Sequence, residues 1–177
     1  MQYKCKITVL RKECYTDLQE QYLADPKSGV CPFYEVGQEL IFKRYGKQDD
    51  FWTMGKGSQC SEAWDAISRY VYTALQGGSI MRNWTNDEKM MIACCNDGTR
   101  PVIFKIERID YKVLYIDGIG CVDCRKKIKD ALMQKPNVAD VIFKEDYIEV
   151  IVDDDVPDEE LKKTVENLED YKVKKID

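Results

Sequence analysis

The chain of 177 residues contains no histidine. This absence excludes the Ser-His-Asp and Cys-His forms of nucleophilic catalysis, and it excludes metal sites that use imidazole ligands. The sequence also lacks the patterns Gly-x-x-x-x-Gly-Lys-Ser/Thr and Gly-x-Gly-x-x-Gly, which form phosphate cradles in nucleotide-binding proteins. The chemistry of this protein must therefore come from other side chains.

Long apolar runs are also missing, since no stretch approaches the roughly 20 residues that cross a bilayer. The opening Met-Gln-Tyr-Lys-Cys-Lys has no long apolar core of the kind found in secretory signals. We therefore expect a soluble, cytoplasmic protein without membrane insertion. In that compartment the eight cysteines are expected to be reduced thiols rather than disulfides.

An excess of positive charge is absent as well. Residues 1–110 carry 15 basic and 15 acidic side chains, so the net charge of -5 arises within residues 111–177. Because such a chain repels polyanions, no nucleic-acid partner is expected.

Two cysteines stand close together in the string Gly118-Ile119-Gly120-Cys121-Val122-Asp123-Cys124. The string falls where a predicted strand ends and a helix begins, so two sulfurs at the first helical turn can converge on one ion. Thiolates select Cu(I), Zn(II) or a heavier thiophilic ion over hard cations. Asp123 has two interpretations, as a third ligand that would favour zinc or as a solvated surface acid.

A basic run follows the second cysteine and comprises Arg125, Lys126, Lys127 and Lys129. These side chains either offset the negative charge of a two-thiolate complex or form an ordinary solvated helix face. The sequence leaves both interpretations open.

The elements around this string follow the order βαββαβ, which is typical of ferredoxin-like domains. The pattern predicts strands at 111–116, 138–144, 147–152 and 171–176, and helices at 124–133 and from 156 onward. In the third strand Ile148, Val150 and Val152 alternate with Glu149 and Ile151, which indicates one buried and one exposed face.

On these residues and this element order, residues 111–177 resemble the heavy-metal-associated domain of copper chaperones and metal-pumping ATPases. The resemblance implies that Cys121 and Cys124 bind one ion, Cu(I) or Zn(II), and pass it by thiolate exchange to a metal-transporting ATPase or another thiol-bearing acceptor. It also implies an outer-sphere position for Tyr171. Ile119 departs from the family, which usually has a methionine there that packs beneath the loop.

Other functions of the same pair remain open. A dithiol oxidoreductase also places Cys-x-x-Cys at a helix start, although this chain lacks the aromatic-Cys-Gly-Pro-Cys setting of thioredoxin-like sites. The enzyme alternative is such an oxidoreductase, or a metal reductase that uses the pair with cysteines from the first domain. A metal-responsive regulator is a third possibility, and whether the protein is an enzyme stays undecided at this point.

Residues 1–110 are predicted to form a small α+β domain that runs into the second domain near Asp110 without a linker. Strands are expected at 3–11, 37–44, 90–95 and 102–109, a short helix at 17–23, and one long helix that starts near Ser61 and stops at Gly77-Gly78. Asn96-Asp97-Gly98-Thr99 is a turn-former, so the last two strands are predicted to form a hairpin. The sheet is expected to be mixed or barrel-like, crossed by the long helix.

Several strings in this domain resemble an uncharacterised family of small cysteine-bearing proteins of anaerobic microbes. They are Tyr3-Lys4-Cys5-Lys6-Ile7-Thr8-Val9, Gly29-Val30-Cys31-Pro32, Gly37-Gln38-Glu39 and Ala93-Cys94-Cys95-Asn96-Asp97-Gly98-Thr99-Arg100-Pro101-Val102. The resemblance implies an anaerobic host and transfers no activity.

Four cysteines of the first domain, Cys31, Cys60, Cys94 and Cys95, offer enough sulfur for a zinc or iron–sulfur site. Their spacing matches no ligand motif, and neighbours on a strand point to opposite faces, so Cys94 and Cys95 reach one pocket only across a bulge. Cys5 and Cys14 are predicted to be structural, since free cysteine is often a small core residue.

Overall fold

The computed structural model describes residues 1–44, 50–168 and 171–177. The chain divides into two compact units, one comprising Tyr3–Arg108 and the other Met1–Gln2 with Ile109–Asp177. The described elements in chain order are β1 (Gln2–Lys12), α1 (Thr16–Tyr22), β2 (Glu39–Lys43), α2 (Met54–Gly57), α3 (Ser61–Leu75), β3 (Met90–Cys94), β4 (Val102–Asp117), α4 (Val122–Met133), β5 (Val138–Phe143), β6 (Ile148–Val152), α5 (Asp158–Glu166) and β7 (Lys172–Ile176). The division between the units falls inside β4.

The unit of residues 3–108 is an α+β fold built on the strands β2, β1, β4 and β3, in that order. β1 pairs with β2, and β3 with β4, in antiparallel register. The predicted hairpin around the Asn96-Asp97-Gly98-Thr99 turn is therefore confirmed. The mixed or barrel-like form of the sheet remains a prediction.

The long helix α3 closes the core of this unit. Ile67, Val71 and Leu75 recur along one face and are buried against the apolar residues of β1 and β4. The helix ends before Gly77, whose φ of 75° is a conformation that glycine adopts without steric cost. Both the start and the stop of α3 agree with the sequence prediction. The short helix α2 was not predicted, because its backbone includes left-handed residues and follows no helical periodicity.

The unit of residues 109–177 has the ferredoxin-like order βαββαβ that the sequence predicted. Its strands are antiparallel neighbours in the order β7-β4-β6-β5. The two helices contribute Ile128 and Leu132 from α4 and Leu161 and Val165 from α5, all fully buried, to a second apolar core. This core holds the end of β4 and the start of α4 in place.

One side chain of this sheet differs from the prediction. Glu149 was expected on an exposed face, but it is only 2% exposed. The reason is its position on β6, an inner strand that pairs with Val113 of β4 on one side and Ile142 of β5 on the other. Burial, with a smaller contribution from the charge of Glu149, raises the pKa of Tyr111 to about 12.

The helices described in residues 1–44, 50–168 and 171–177 include none with the length and apolar character needed to cross a bilayer.

Candidate metal-binding site

The candidate metal-binding loop (residues 118–121, called the metal-binding loop) joins the end of β4 to the start of α4. Gly118 has a φ of 92°, and the N–H of Gly120 donates to the carbonyl oxygen of Gly118 at 3.0 Å. A left-handed residue followed by this tight hydrogen bond turns the chain sharply between a strand and a helix. Glycine at position 118 thereby brings the following cysteine to the first turn of α4.

Cys121 is the N-cap of α4, and its extended backbone precedes the first helical residue, Val122. Its sulfur accepts a hydrogen bond from the N–H of Cys124 at 3.0 Å, in the position that a serine or aspartate oxygen usually occupies. The Cα atoms of the two cysteines are 5.1 Å apart. Helix capping therefore directs both sulfurs to the same point.

The two sulfur atoms are joined as a disulfide, whereas the sequence analysis expected reduced cysteines. The other six cysteines are free, as expected. The pair differs because residues three apart at a helix start bring their sulfurs within bonding reach. Because the thiolate is the form of cysteine that binds metal ions, this pair would have to be reduced before it could hold one.

The pair is accessible from solvent. Cys121 is exposed, whereas Cys124 is half-buried and packs with Ile119 against the second core. Val122, between the two cysteines, is 83% exposed. Ile119 thus packs against the second core beside Cys124, and Cys121 remains open to solvent.

Asp123 lies in the first turn of α4 and is exposed. Among the residues that the structure describes, no three cysteine, aspartate or glutamate side chains gather so as to hold a metal ion. The described geometry therefore offers the ion two sulfurs, and the role of Asp123 as a third ligand stays a prediction.

The four basic residues after the pair differ in their contacts. Lys129 donates to the Asp140 carboxylate at 2.7 Å and to the Val141 carbonyl at 3.1 Å, and this hydrogen bond holds the pKa of Asp140 below its ordinary value. Arg125 lies 5.8 Å from the centre of the Phe143 ring. Lys126 and Lys127 are exposed. Lys129 is therefore engaged on the sheet, which favours the ordinary helix-face interpretation for that residue.

Tyr171 lies close to the loop in sheet register. Asp117 pairs with Lys172 in antiparallel register, so the next pair along the two strands is Gly118 opposite Tyr171. Tyr171 is 7% exposed and belongs to the same apolar cluster on which Cys124 packs. This placement agrees with an outer-sphere position for Tyr171, which remains a prediction.

A cleft of about 460 Å³ opens beside the metal-binding loop. Its walls include Asp117, Ile119, Arg125, Phe143 and Lys174, and Lys174 forms an ion pair with Asp117 at 2.6 Å. Phe143 and Lys174 were not predicted from the sequence to lie near the loop. The pairing of β7 with β4 places the start of β7, and with it Lys174, beside the end of β4.

The cysteines of the first unit do not form one four-sulfur group. Cys94 is exposed, whereas Cys95 is buried and its sulfur accepts a hydrogen bond from the N–H of Val102 at 3.3 Å. Cys31 and Cys60 are half-buried and pack on the first core. Among the described residues no three of these thiols gather, so the predicted zinc or iron–sulfur site stays a prediction without a described cluster.

Cys5 and Cys14 were predicted to be structural. Cys5 is fully buried in the first core, and burial raises the pKa of its thiol. This environment fits a small apolar core residue. Cys14 is half-exposed, and its structural role stays a prediction.

Comparison with known proteins identifies one part of the chain. No curated protein and no solved structure matches it. Residues 113–172 match the family model of the heavy-metal-associated domain. The match begins within β4 and extends to the first residue of β7, so it includes the metal-binding loop and both cysteines. This third of the chain is therefore similar to the heavy-metal-associated domain, a type that binds ions such as Cu(I) and Zn(II).

Proposed function

We propose that this protein binds one thiophilic ion between Cys121 and Cys124 and transfers it by thiolate exchange. The supporting observation is the pair of sulfurs that converge at the exposed start of α4, within the segment that matches the heavy-metal-associated domain. Cu(I) is the favoured ion because two thiolates suffice for linear coordination, and Zn(II), which usually takes four ligands, is the second choice.

Transfer would proceed through the exposed side of the loop. The bound pair is the reduced form, in which both sulfurs have lost their protons to the solvent on metal binding. A third thiolate from the acceptor adds to the ion, and the two original sulfurs leave in turn. The exposure of Cys121 supports such an entry, and the half-buried Cys124 would leave last.

The acceptor and the compartment belong to the same proposal. A metal-transporting ATPase or another thiol-bearing protein in the cytoplasm would take the ion, and neither nucleic acid nor membrane insertion has a part in the function. The first unit, with its own thiols, is a second candidate acceptor.

A dithiol oxidoreductase is the alternative function, and the disulfide between Cys121 and Cys124 favours it. In such an enzyme the disulfide takes two electrons from a dithiol or metal reductant, with two protons from the dithiol or the solvent, to give two thiols. In a metal reductase the two thiols would give two electrons to an oxidised metal ion and two protons to the solvent, and the disulfide would form again. Cysteines of the first unit would then relay the electrons.

Metal titration of the full chain tests the proposal. The reduced protein, kept free of oxygen, is titrated with Cu(I) against a chromophoric chelator, and so is the variant Cys121→Ser/Cys124→Ser. The variant should lose one tightly bound ion per chain, while Cys14→Ser should retain it. Serine at position 121 keeps a capping oxygen, so the start of α4 is preserved. Equal binding by the variant and the parent protein would overturn the proposal.

Thiol counting during turnover separates the two functions. A carrier keeps both thiols reduced while it holds and releases the ion, whereas an oxidoreductase cycles the pair to a disulfide with each substrate. A disulfide that forms and disappears at the rate of substrate consumption would favour the enzyme.

A further inference from the structure

A notch opens in the sheet of residues 109–177 where β4 continues beyond its neighbour β6. The last described pair of these two strands joins Leu114 to Ile148, the first residue of β6, whereas β4 runs on to Asp117. The cleft of about 460 Å³ lies at this notch, and residues 115–117 line it. One wall of the cleft is therefore a strand edge for which no partner strand is described, called here the free edge of β4.

Three aromatic side chains also line the cleft. The ring centres of Tyr115 and Tyr147 are 5.8 Å apart, and both side chains are half-buried. Phe143 is half-buried as well, and the guanidinium carbon of Arg125 lies 5.8 Å from the centre of its ring. A ring face attracts a guanidinium group and holds it in place. The cleft therefore offers apolar surface and one positioned cation.

The walls carry open charges of both signs. Four of the charged side chains are exposed, and they are those of Arg125, Lys144, Glu145 and Asp146. None of these four forms an ion pair or a side-chain hydrogen bond with another residue in the part of the chain that the structure describes. Lys174 and Asp117 neutralise each other at 2.6 Å. The open charges are thus two cations and two carboxylates.

The cleft shares a wall with the metal-binding loop. Gly118 and Ile119 belong to both, and Arg125 directly follows Cys124 on α4. Adjacent Cα atoms are about 3.8 Å apart, so this wall comes within one residue of Cys124 and two residues of Cys121 along the chain. A ligand in the cleft would therefore touch the loop that presents both sulfurs.

We propose that the cleft binds a short zwitterionic peptide that carries a cysteine, and that this peptide supplies the incoming thiolate for ion transfer. Its carboxylate would bind Arg125 and Lys144, since charge-assisted hydrogen bonds to a guanidinium are strong. Its ammonium group would bind the carboxylates of Glu145 and Asp146. Its backbone would pair with the free edge of β4. The role of its thiol rests on the proposed function, whereas binding of the peptide in the cleft does not.

The exchange step changes no oxidation state. The peptide thiol gives its proton to the solvent, and its sulfur forms a bond to the ion. The bond from the ion to Cys121 then breaks, and that thiolate takes up a proton. A second thiolate displaces Cys124 in the same way, so the ion leaves on two new sulfurs without any oxidant or reductant.

The first experiment needs no metal. The reduced, metal-free full chain is titrated with the peptide Gly-Ser-Gly, and the backbone amide signals are followed by nuclear magnetic resonance. We expect saturable shifts at Gly118, Ile119, Phe143 and Lys144. The same peptide with an acetylated amino end and an amidated carboxyl end has lost both charges, so it should bind at least about 10-fold more weakly.

Variants of the wall test the charge complementarity. Arg125→Gln/Lys144→Gln removes both open cations, so binding of Gly-Ser-Gly should weaken by at least about 10-fold. Lys163→Gln is the matched control, because it removes an exposed cation of α5 that is not a wall of this cleft. The control should bind the peptide as the parent protein does. Circular dichroism checks that each variant is folded.

The second experiment uses the Cu(I)-loaded chain. Transfer of the ion to an excess of chromophoric chelator is timed with and without Gly-Cys-Gly. We expect Gly-Cys-Gly to accelerate transfer and Gly-Ser-Gly to leave it unchanged, since serine supplies no thiolate. In Arg125→Gln/Lys144→Gln the acceleration should fall about 10-fold at the same peptide concentration, and in Lys163→Gln it should persist.

Three results would overturn the inference. They are the absence of shifts at the cleft with Gly-Ser-Gly, equal binding of the charged and the capped peptide, and an equal loss of binding in Lys163→Gln and Arg125→Gln/Lys144→Gln. Failure of the proposed function gives a different result. A reduced chain that binds no Cu(I) but still shows the shifts with Gly-Ser-Gly would refute metal transfer, and with it the role of the thiol, while the peptide cleft is confirmed.

Discussion

At the residue scale, the conformation of Gly118 governs the metal-binding loop. Its φ of 92° lies in the left-handed region, so Gly118→Ala should cost about 1–2 kcal/mol of unfolding free energy. The strain would also displace Cys121, and Cu(I) affinity should fall with stability. Urea unfolding of the reduced chain and chelator competition measure the two effects.

Gly120→Ala is the matched control for this substitution. A Cβ atom at position 120 meets no atom within 4 Å, and the residue is not in the left-handed region. We expect a change within about 0.5 kcal/mol, as for most surface substitutions. Equal losses at positions 118 and 120 would show that the loop does not depend on the left-handed turn.

At this scale the sequence predicted the cysteine pair but not most of its neighbours. The Cys-x-x-Cys spacing at a strand–helix junction is a local pattern, so a single string reveals it. The contact of Lys129 with Asp140 and the position of Lys174 beside Asp117 depend on which strands pair. Such contacts join residues far apart in sequence, and no local pattern encodes them.

At the scale of elements, Lys112 ties β4 to the start of α5. Its ammonium group donates to the Val156 carbonyl at 2.5 Å and the Asp158 carboxylate at 2.6 Å, and lies 3.1 Å from a carboxylate oxygen of Asp155. Burial lowers the pKa of Lys112, but the bonds to these aspartates outweigh it and leave the pKa above its ordinary value.

Lys112→Met should therefore destabilise the chain by about 1.5–3 kcal/mol at neutral pH, the range for hydrogen bonds to charged groups. Because the pKa of Lys112 is raised by folding, its contribution is complete below the unfolded value of about 10.4 and is lost as the pH rises through the folded pKa. Urea unfolding at pH 7 and above pH 10 measures the difference in unfolding free energy between the parent protein and Lys112→Met, which should become smaller in alkali. Lys172→Met, on the exposed face of β7, is the control, and its difference from the parent protein should not change with pH in this way.

Element order was the most predictable part of the fold. Each strand and helix of residues 111–177 carries its own periodicity and its own end signals, so βαββαβ follows from the sequence. The burial of Glu149 does not follow, because it depends on β6 having neighbours on both sides. The short α2 is also not encoded by periodicity, since left-handed residues interrupt it.

At the scale of the whole molecule, the cysteines differ widely in access. In air-oxidised protein unfolded without reductant, six thiols should react with a disulfide reagent, and eight should react after reduction. In the native chain Cys94 should react first because it is exposed. Cys5 should react last because it is fully buried and its thiol pKa is raised. Mass spectrometry of labelled peptides identifies each site, and eight reactive thiols before reduction would show that the Cys121–Cys124 pair is not oxidised.

The convergence of Tyr34, Gln59 and Cys60 could not be predicted from the sequence. Tyr34 lies in the irregular segment between α1 and β2, and Gln59 and Cys60 immediately precede α3. Irregular segments have no period from which a facing direction can be inferred. The folded core brings the Gln59 amide oxygen and the Cys60 N–H to the hydroxyl of Tyr34.

The hydrogen bond from the Cys124 N–H to the Cys121 sulfur supplies a spectroscopic probe of the loop. The amide proton points at the atom whose electron density changes between thiol, disulfide and metal thiolate. Its nuclear magnetic resonance frequency should therefore take a separate value in each of the three states. One backbone signal would then show which state this loop occupies, without any label on the metal.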